Sequence, residues 1–223
     1  MRQTALSVAE VATVAGHVHV RCGGPLPCAP GQFYLARAEA AAQPFLRIPI
    51  YPYTTRNESA EFYVEAGHPY AALAPGTPLD VIGPCGGGFD LPSRAAHLLV
   101  MVGSPCRLLP LIYAALERHF AVTALVASSV PLPDLPLAVE VLRERGPLTV
   151  ELAAWADVVG LDLPDPFERA WQIRTLRQTR HAEFIQALLT PPMPCGTGAC
   201  QACWVETGRG RKLACVDGPV FWL

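Results

Sequence analysis

Charge is scarce in this chain. Only 16% of its 223 residues are Asp, Glu, Lys or Arg, and they nearly cancel, to a net charge of −2 and a pI near 6.3. A surface so close to neutral offers no field for nucleic acid or an anionic membrane, and the basic residues from Arg209 to Lys212 read as a solvated turn. A long unbroken apolar run is missing too. The most apolar stretch, residues 95–116, is interrupted by Gly103, Pro105, Arg107 and Pro110, which rules it out as a clean membrane span. No charged segment precedes the apolar residues 12–20, so the start does not read as a secretory leader and a cytoplasmic protein is expected. Also missing is any acid, base and nucleophile set that could handle a substrate unaided. What is present is 51% hydrophobic residues, enough for packed cores in two modest domains and a small appendage.

Eight cysteines could form four disulfides, but a long apolar chain needs no staples, and the spacing of four of them suggests another use. Cys195, Cys200, Cys203 and Cys215 fall within 21 residues as C-x4-C-x2-C-x11-C, while Cys22, Cys28, Cys85 and Cys106 are scattered. Four thiolates brought together repel one another and are costly to desolvate, so they call for a cation or cluster. Gly196 and Gly198 allow positive φ and let backbone N–H groups approach a sulfur-rich centre. Residues 204–207 and 211–214 read as strands flanking the turn Gly208-Arg209-Gly210, a hairpin that returns Cys215 to Cys203. The opening C-x4-C-x2-C is that of plant-type two-iron two-sulfur sites, whereas structural zinc usually uses two short C-x2-4-C knuckles. Zinc and plain reduced cysteines are the alternatives.

Met193-Pro194-Cys195-Gly196-Thr197-Gly198-Ala199-Cys200, the short final spacing, and Asp217-Gly218-Pro219-Val220-Phe221 together resemble the cluster-binding region of the electron-transfer subunit of dihydroorotate dehydrogenase type B. That resemblance implies a two-iron two-sulfur cluster on Cys195, Cys200, Cys203 and Cys215, and FAD as a possible second cofactor. It implies electron transfer between NAD and the flavin of a separate catalytic dehydrogenase subunit in pyrimidine synthesis. The assembly would be a hetero-oligomer, with a heterotetramer among the forms allowed. Gly31-Gln32-Phe33, Leu46-Arg47-Ile48-Pro49-Ile50 and the segment from Gly83 to Leu91 resemble the family's flavin-barrel motifs, which implies FAD contacts at Arg47, Pro49, Ile50 and Gly67. The family's Arg before the proline and its hydroxyl residue two after it are Ile48 and Tyr51 here, and Arg47, one residue off, points to the opposite face of a strand. Its diphosphate glycines give way to Gly67-His68-Pro69-Tyr70.

The expected fold is therefore an α+β multidomain chain. Residues 1–93 form an antiparallel β-barrel of ferredoxin-reductase type, 94–190 a degenerate α/β parallel-sheet domain of nucleotide-binding type, and 191–223 a small iron-sulfur module. Barrel strands are expected at 8–20, 32–37, 45–53, 61–65 and 79–82, with His17 and His19 as outward polar residues of one face. Tyr51 and Tyr53 read as packing aromatics that could also stack on a ring. Residues 97–102, a helix with Pro110 in its first turn, and 121–127 make a β-α-β unit, extended by 139–142, a helix near 148–155, and 157–161. Residues 167–180 fit a helix whose Arg169, Arg174, Arg177 and Arg180 form a solvated or partner-facing side. After 97–102 only Gly103 remains of a glycine-rich turn, and Pro105 removes a donor, so NAD is not expected to bind in the usual way. Cys106 reads as a small buried cysteine. The other readings are a non-catalytic scaffold with structural zinc or a structural cluster, and a relay for another flavoprotein.

Overall fold

A computed structural model describes residues 2–38, 46–53, 59–103, 107–127, 135–144, 148–178, 184–208 and 210–223. Its first layer is a six-stranded antiparallel sheet built from β1 (Arg2–Val14), β2 (His17–Gly23), β3 (Phe33–Ala38), β4 (Ile48–Ile50), β5 (Ser59–Glu65) and β6 (Pro78–Cys85), in the order β4-β3-β6-β1-β2-β5. The two edges meet. Tyr53, just past β4, exchanges backbone hydrogen bonds with Glu61 of β5, N to O at 2.8 and 3.1 Å, which curls the sheet toward a closed barrel. Alternating residues of the strands, Val18, Val20 and Cys22 on β2 with Ala60, Phe62 and Val64 on β5, fill its interior.

The expected single strand over 8–20 is instead a hairpin. Ala15 and Gly16 take φ of 47° and 77°, the two positive values that a tight turn between twisted strands demands. A second difference concerns the histidines. His17 and His19 do share a face, but it is covered: His17 is buried, and His19 lies between Tyr53 and Tyr63 with its Nε2 3.0 Å from Glu61. The residues from Gly67 to Tyr70 lead into a short 3-10 helix, Pro69–Ala72, which drives Tyr70 into the barrel core with its hydroxyl on the Ala36 carbonyl.

The second layer is a mixed sheet: β7 (His97–Val102), β8 (Ala121–Ala127), β9 (Val139–Glu144), β10 (Val158–Asp162), β11 (Ile185–Leu188) and, at the far end of the sequence, Val220–Trp222. The order is Val220–Trp222, β11, β10, β7, β8, β9, parallel except where Val220–Trp222 runs against β11. Helices α1 (Leu109–Glu117), α2 (Val150–Trp155) and α3 (Pro166–Leu176) connect the strands. Each helix start has a local cause. Thr149 and Asp165 accept from Leu152 and Glu168 N–H groups, and prolines occupy the first turns of α1 and α3, where a missing N–H costs nothing. No helix of the described residues is long and apolar enough to cross a membrane.

The arginine face of α3 is not free. Arg169 bonds Glu144 at 2.8 Å, and Arg177 donates to the Ala156 carbonyl at 2.7 Å while lying 4.2 Å above the Phe184 ring. Arg180, Cys106 and the remainder of the turn at 104–106 lie outside the described residues. A hairpin of β12 (Trp204–Thr207) and β13 (Gly210–Leu213) precedes the last strand, β14 (Val220–Trp222). Because β14 pairs Phe221 with Ala187, residues 191–223 are stitched into the second sheet.

Candidate metal centre and adjoining cavities

The loop and the hairpin bring all four clustered cysteines to one place, in two couples. Cys195 and Cys200 have their sulfurs 3.2 Å apart; Cys203 and Cys215 have theirs 3.3 Å apart, at the open end of the hairpin where Ala214 N–H bonds the Cys203 carbonyl. Among the described residues no three or more Cys, His, Asp or Glu side chains converge on one point as ligands of a single ion. Gly196 and Gly198 take φ of 69° and 78°, and Gln201 is also positive at 55°, so the loop wraps inward.

The couples differ in environment. Cys203 and Cys215 are buried in the core, Cys195 is half-buried and Cys200 is exposed. Burial, with the neighbouring Cys203 thiol, pushes Cys215 up to about 12 against the lowering effect of the Gly198 N–H. At Cys195 burial works upward as well, but the backbone N–H groups of Cys200 and Thr197, with their side chains, outweigh it and bring the thiol down to about 6. A site that stabilises one thiolate with backbone donors while burying another pair suits a bound cationic centre.

The loop is seated on the barrel. A Cβ on Gly196 would lie 2.7 Å from Leu35 Cδ1 and 3.2 Å from Cys85 Sγ. Below it, Gly87 N–H bonds the Gly218 carbonyl, and a Cβ on Gly86 would come within 2.3 Å of that oxygen. Asp217 secures the hairpin by accepting from Leu213 N–H at 2.8 Å. The glycine-rich segment from Gly83 and the Asp217-Gly218-Pro219 segment, far apart in sequence, are thus the two halves of one joint.

Two cavities adjoin this assembly. One of about 260 Å3 lies on the barrel side, lined by Pro49, Ile50, Tyr51, Tyr63, His68 and Arg107 among others. The other, about 630 Å3, opens at the C-terminal ends of β7 and β10, the switch point of the parallel sheet, between Gly103, Asp162 and the start of α3. Arg107 and Glu65 line both. In the larger cavity Arg107 grips Asp162 with two hydrogen bonds, Nε at 2.9 Å and Nη2 at 2.8 Å, and Asp165 and Glu206 add further carboxylates.

Of the four positions expected to contact FAD, Pro49 and Ile50 border the smaller cavity. Arg47 does not: its guanidinium reaches Asp80 on β6, which is also held by Gln3 at 2.8 Å and faced by Arg37 at 3.8 Å. The one-residue offset from the family's arginine explains this, because it turns the side chain to the other face. Gly67 sits in the turn after β5 and is absent from the cavity lining. Tyr51, read from the sequence as a packing aromatic that could also stack on a ring, lines this cavity, whereas Tyr63, His68 and Arg107 were not picked out for it. For Arg107 no local signal existed, since its partner is 55 residues away.

Residues 191–223 match the model of the iron-sulfur cluster binding domain of dihydroorotate dehydrogenase B. The chain is 26% identical over 215 residues to the dihydroorotate dehydrogenase B (NAD(+)) electron transfer subunit of Clostridium acetobutylicum, covering 89% of this chain and 86% of that protein. It is 28% identical to the homologous subunit of Thermotoga maritima, covering 86% of this chain and 75% of that one. Among solved structures it resembles an NADH-dependent reduced ferredoxin-NADP oxidoreductase chain with a TM-score of 0.76 and 24% identity, over 97% of this chain and 87% of that one. A ferredoxin reductase of carbazole 1,9a-dioxygenase follows at 0.64 and 17%, over 83% and 68%. The fold is that of ferredoxin reductases, residues 191–223 match the iron-sulfur cluster binding domain of dihydroorotate dehydrogenase B, and the chain as a whole is similar to the electron transfer subunits of that enzyme.

Proposed function

We propose that this chain is a cytoplasmic electron-transfer subunit that holds a two-iron two-sulfur cluster on Cys195, Cys200, Cys203 and Cys215. It would also hold FAD in the barrel-side cavity and pass electrons to or from the catalytic subunit of a dihydroorotate dehydrogenase. The observation that carries this reading is the arrangement of the four thiols as two couples, 3.2 and 3.3 Å apart internally, on a loop rich in inward N–H groups. Two couples suit two irons with two protein ligands each, whereas one zinc ion would draw four sulfurs around a single point.

When bound, the cluster supplies one-electron carriage and the flavin an exchange between one- and two-electron chemistry. The protein's own residues do the rest. Thr197, Gly198 and Cys200 direct N–H groups at the sulfurs, which sets how readily the centre accepts negative charge. Leu35 joins the two sites. It touches the loop at Gly196 and pairs across β3 and β4 with Pro49, which borders the flavin cavity. Pro49, Ile50 and Tyr63 offer the apolar and aromatic walls a planar ring needs. The switch-point cavity, by contrast, presents Glu65, Asp162, Asp165 and Glu206, with its Arg107 already engaged, so a dinucleotide's diphosphate has no prepared cation there among the described residues. The electron donor in this reading is accordingly a flavin.

The partner assignment is tested by mixing the oxidised, cluster-loaded chain with the catalytic subunit and dihydroorotate under anaerobic conditions. Bleaching of the cluster's visible absorption on mixing is expected. A catalytic subunit that turns over with another acceptor while the cluster stays oxidised would exclude this partner.

A further inference from the structure

A fifth cysteine stands against the cluster loop. Cys85, the last residue of β6, pairs in register with Phe33 of β3 and is 3% exposed. Its Sγ lies so close to Gly196 that a Cβ there would stand 3.2 Å from it, and Gly196 is the residue after Cys195. Cys85 also shares one buried core with Cys203 and Cys215. The segment that carries it is held from both sides. Leu35, which pairs with Ile82 of β6, presses on the same glycine, and Gly87 N–H is tied to the carbonyl of Gly218, three residues past Cys215. The Cys85 thiol is therefore fixed beside the four clustered cysteines, whose two couples form without it. Burial pushes this thiol up, and negative charge at Cys195 pushes the same way, so its proton stays on sulfur. The S–H meets the Ile82 carbonyl at 3.9 Å, a long and weak bond that a turn about Cβ–Sγ exchanges for a better acceptor.

We propose that the buried Cys85 thiol, supplied by the barrel, is a weak hydrogen-bond donor on the Cys195 side of the bound cluster and raises its midpoint potential. The proposal rests on the two-iron two-sulfur reading above. Each reduction of such a centre adds one electron, and the extra negative charge is spread over its sulfurs. A donor that faces those sulfurs favours the reduced state. Burial strengthens the effect, because little water is present to screen it. The barrel thereby contributes to the cluster's electronics as well as to the seat of its loop.

The test is a redox titration of the full chain with its cluster in place, followed by the low-temperature magnetic resonance signal of the reduced centre. Wild type, Cys85→Ala and Cys85→Ser are compared after iron, sulfide and melting temperature have been measured on each. In Cys85→Ala the equilibrium for reduction is expected to become about threefold less favourable, the loss of one weak hydrogen bond, which is a fall of ~28 mV at about 59 mV per tenfold for one electron. Cys85→Ser keeps a donor at the same place, and its potential is expected at or above that of the wild type. A side chain that only packs would not make serine and alanine diverge in this way. An unchanged potential in Cys85→Ala, a fall of equal size in Cys85→Ser, or the failure of both variants to hold a cluster overturns the proposal and leaves the cluster assignment intact. A wild type that holds zinc or no metal overturns the cluster reading itself and this assignment with it.

Discussion

Gly196 and Leu35 are in contact at the point where the cluster loop meets the barrel: a Cβ at 196 would stand 2.7 Å from Leu35 Cδ1, on a backbone with φ of 69°. Gly196→Ala therefore combines left-handed strain of roughly 1–2 kcal/mol with a steric clash. The loop is expected to lift from the barrel and the chain to lose its cluster. Iron and acid-labile sulfide content of the purified variant, beside its melting curve, measures both effects.

The two thiol couples should respond differently to serine substitution. Cys203 and Cys215 are part of the hydrophobic core, so Cys203→Ser places a hydroxyl in an apolar site and should destabilise even the cluster-free chain, by about 1–3 kcal/mol. Cys200 is exposed, and Cys200→Ser should leave the stability of the cluster-free chain within about 0.5 kcal/mol of the parent. Both should impair cluster assembly. Denaturant melts of the apo-proteins together with visible spectra of the reconstituted ones separate these outcomes.

Arg47 reaches the Asp80 carboxylate within the barrel. Asp80 is nearly buried, which alone would raise its carboxyl, but Gln3, Arg47 and Arg37 outweigh burial and hold it below the ordinary 3.8. A depressed carboxylate contributes stability above its unfolded pKa and loses that contribution as pH falls through the lower folded value. The barrel should thus weaken below about pH 4 through this group, and Asp80→Asn should flatten that part of the acid-unfolding curve. Arg47→Ala should cost about 1–3 kcal/mol at neutral pH with FAD affinity unchanged.

Gly86 is the other half of the seam. With φ of 72° and a Cβ position 2.3 Å from the Gly218 carbonyl, Gly86→Ala cannot be accommodated unless the segment carrying Gly218 moves away. Because Gly218 lies three residues from Cys215, loss of cluster from a substitution on the barrel is expected. Cluster content after reconstitution at low temperature, compared with that of a surface glycine variant such as Gly76→Ala, reads this out.

Residues whose burial is continuous were the ones the sequence displayed. The runs at 97–102 and 121–127 became β7 and β8 with those same bounds, since both faces of a covered parallel strand are apolar. The cysteine spacing likewise announced the loop and the hairpin that returns Cys215 to Cys203, because local geometry alone brings them together, whereas the pairing of Cys195 with Cys200 emerges only in the fold. Strand β11 was hidden by Gln186, a polar residue that is buried only because Asp90, 96 residues away, takes both of its amide bonds at 2.7 Å. Strand β14 is three residues long and exists through pairing with β11. The covering of His17 and His19, and the meeting of Arg107 with Tyr51 at one cavity, depend on tertiary packing that no periodicity records.

The most direct measurement is the metal and sulfide content of anaerobically purified chain, taken with its visible and low-temperature magnetic resonance spectra before and after reduction by dithionite. About two irons and two sulfides per chain, with a paramagnetic signal that appears only on reduction, is the expected result. One zinc per chain and a colourless protein would contradict the assignment of Cys195, Cys200, Cys203 and Cys215 to an electron-carrying cluster.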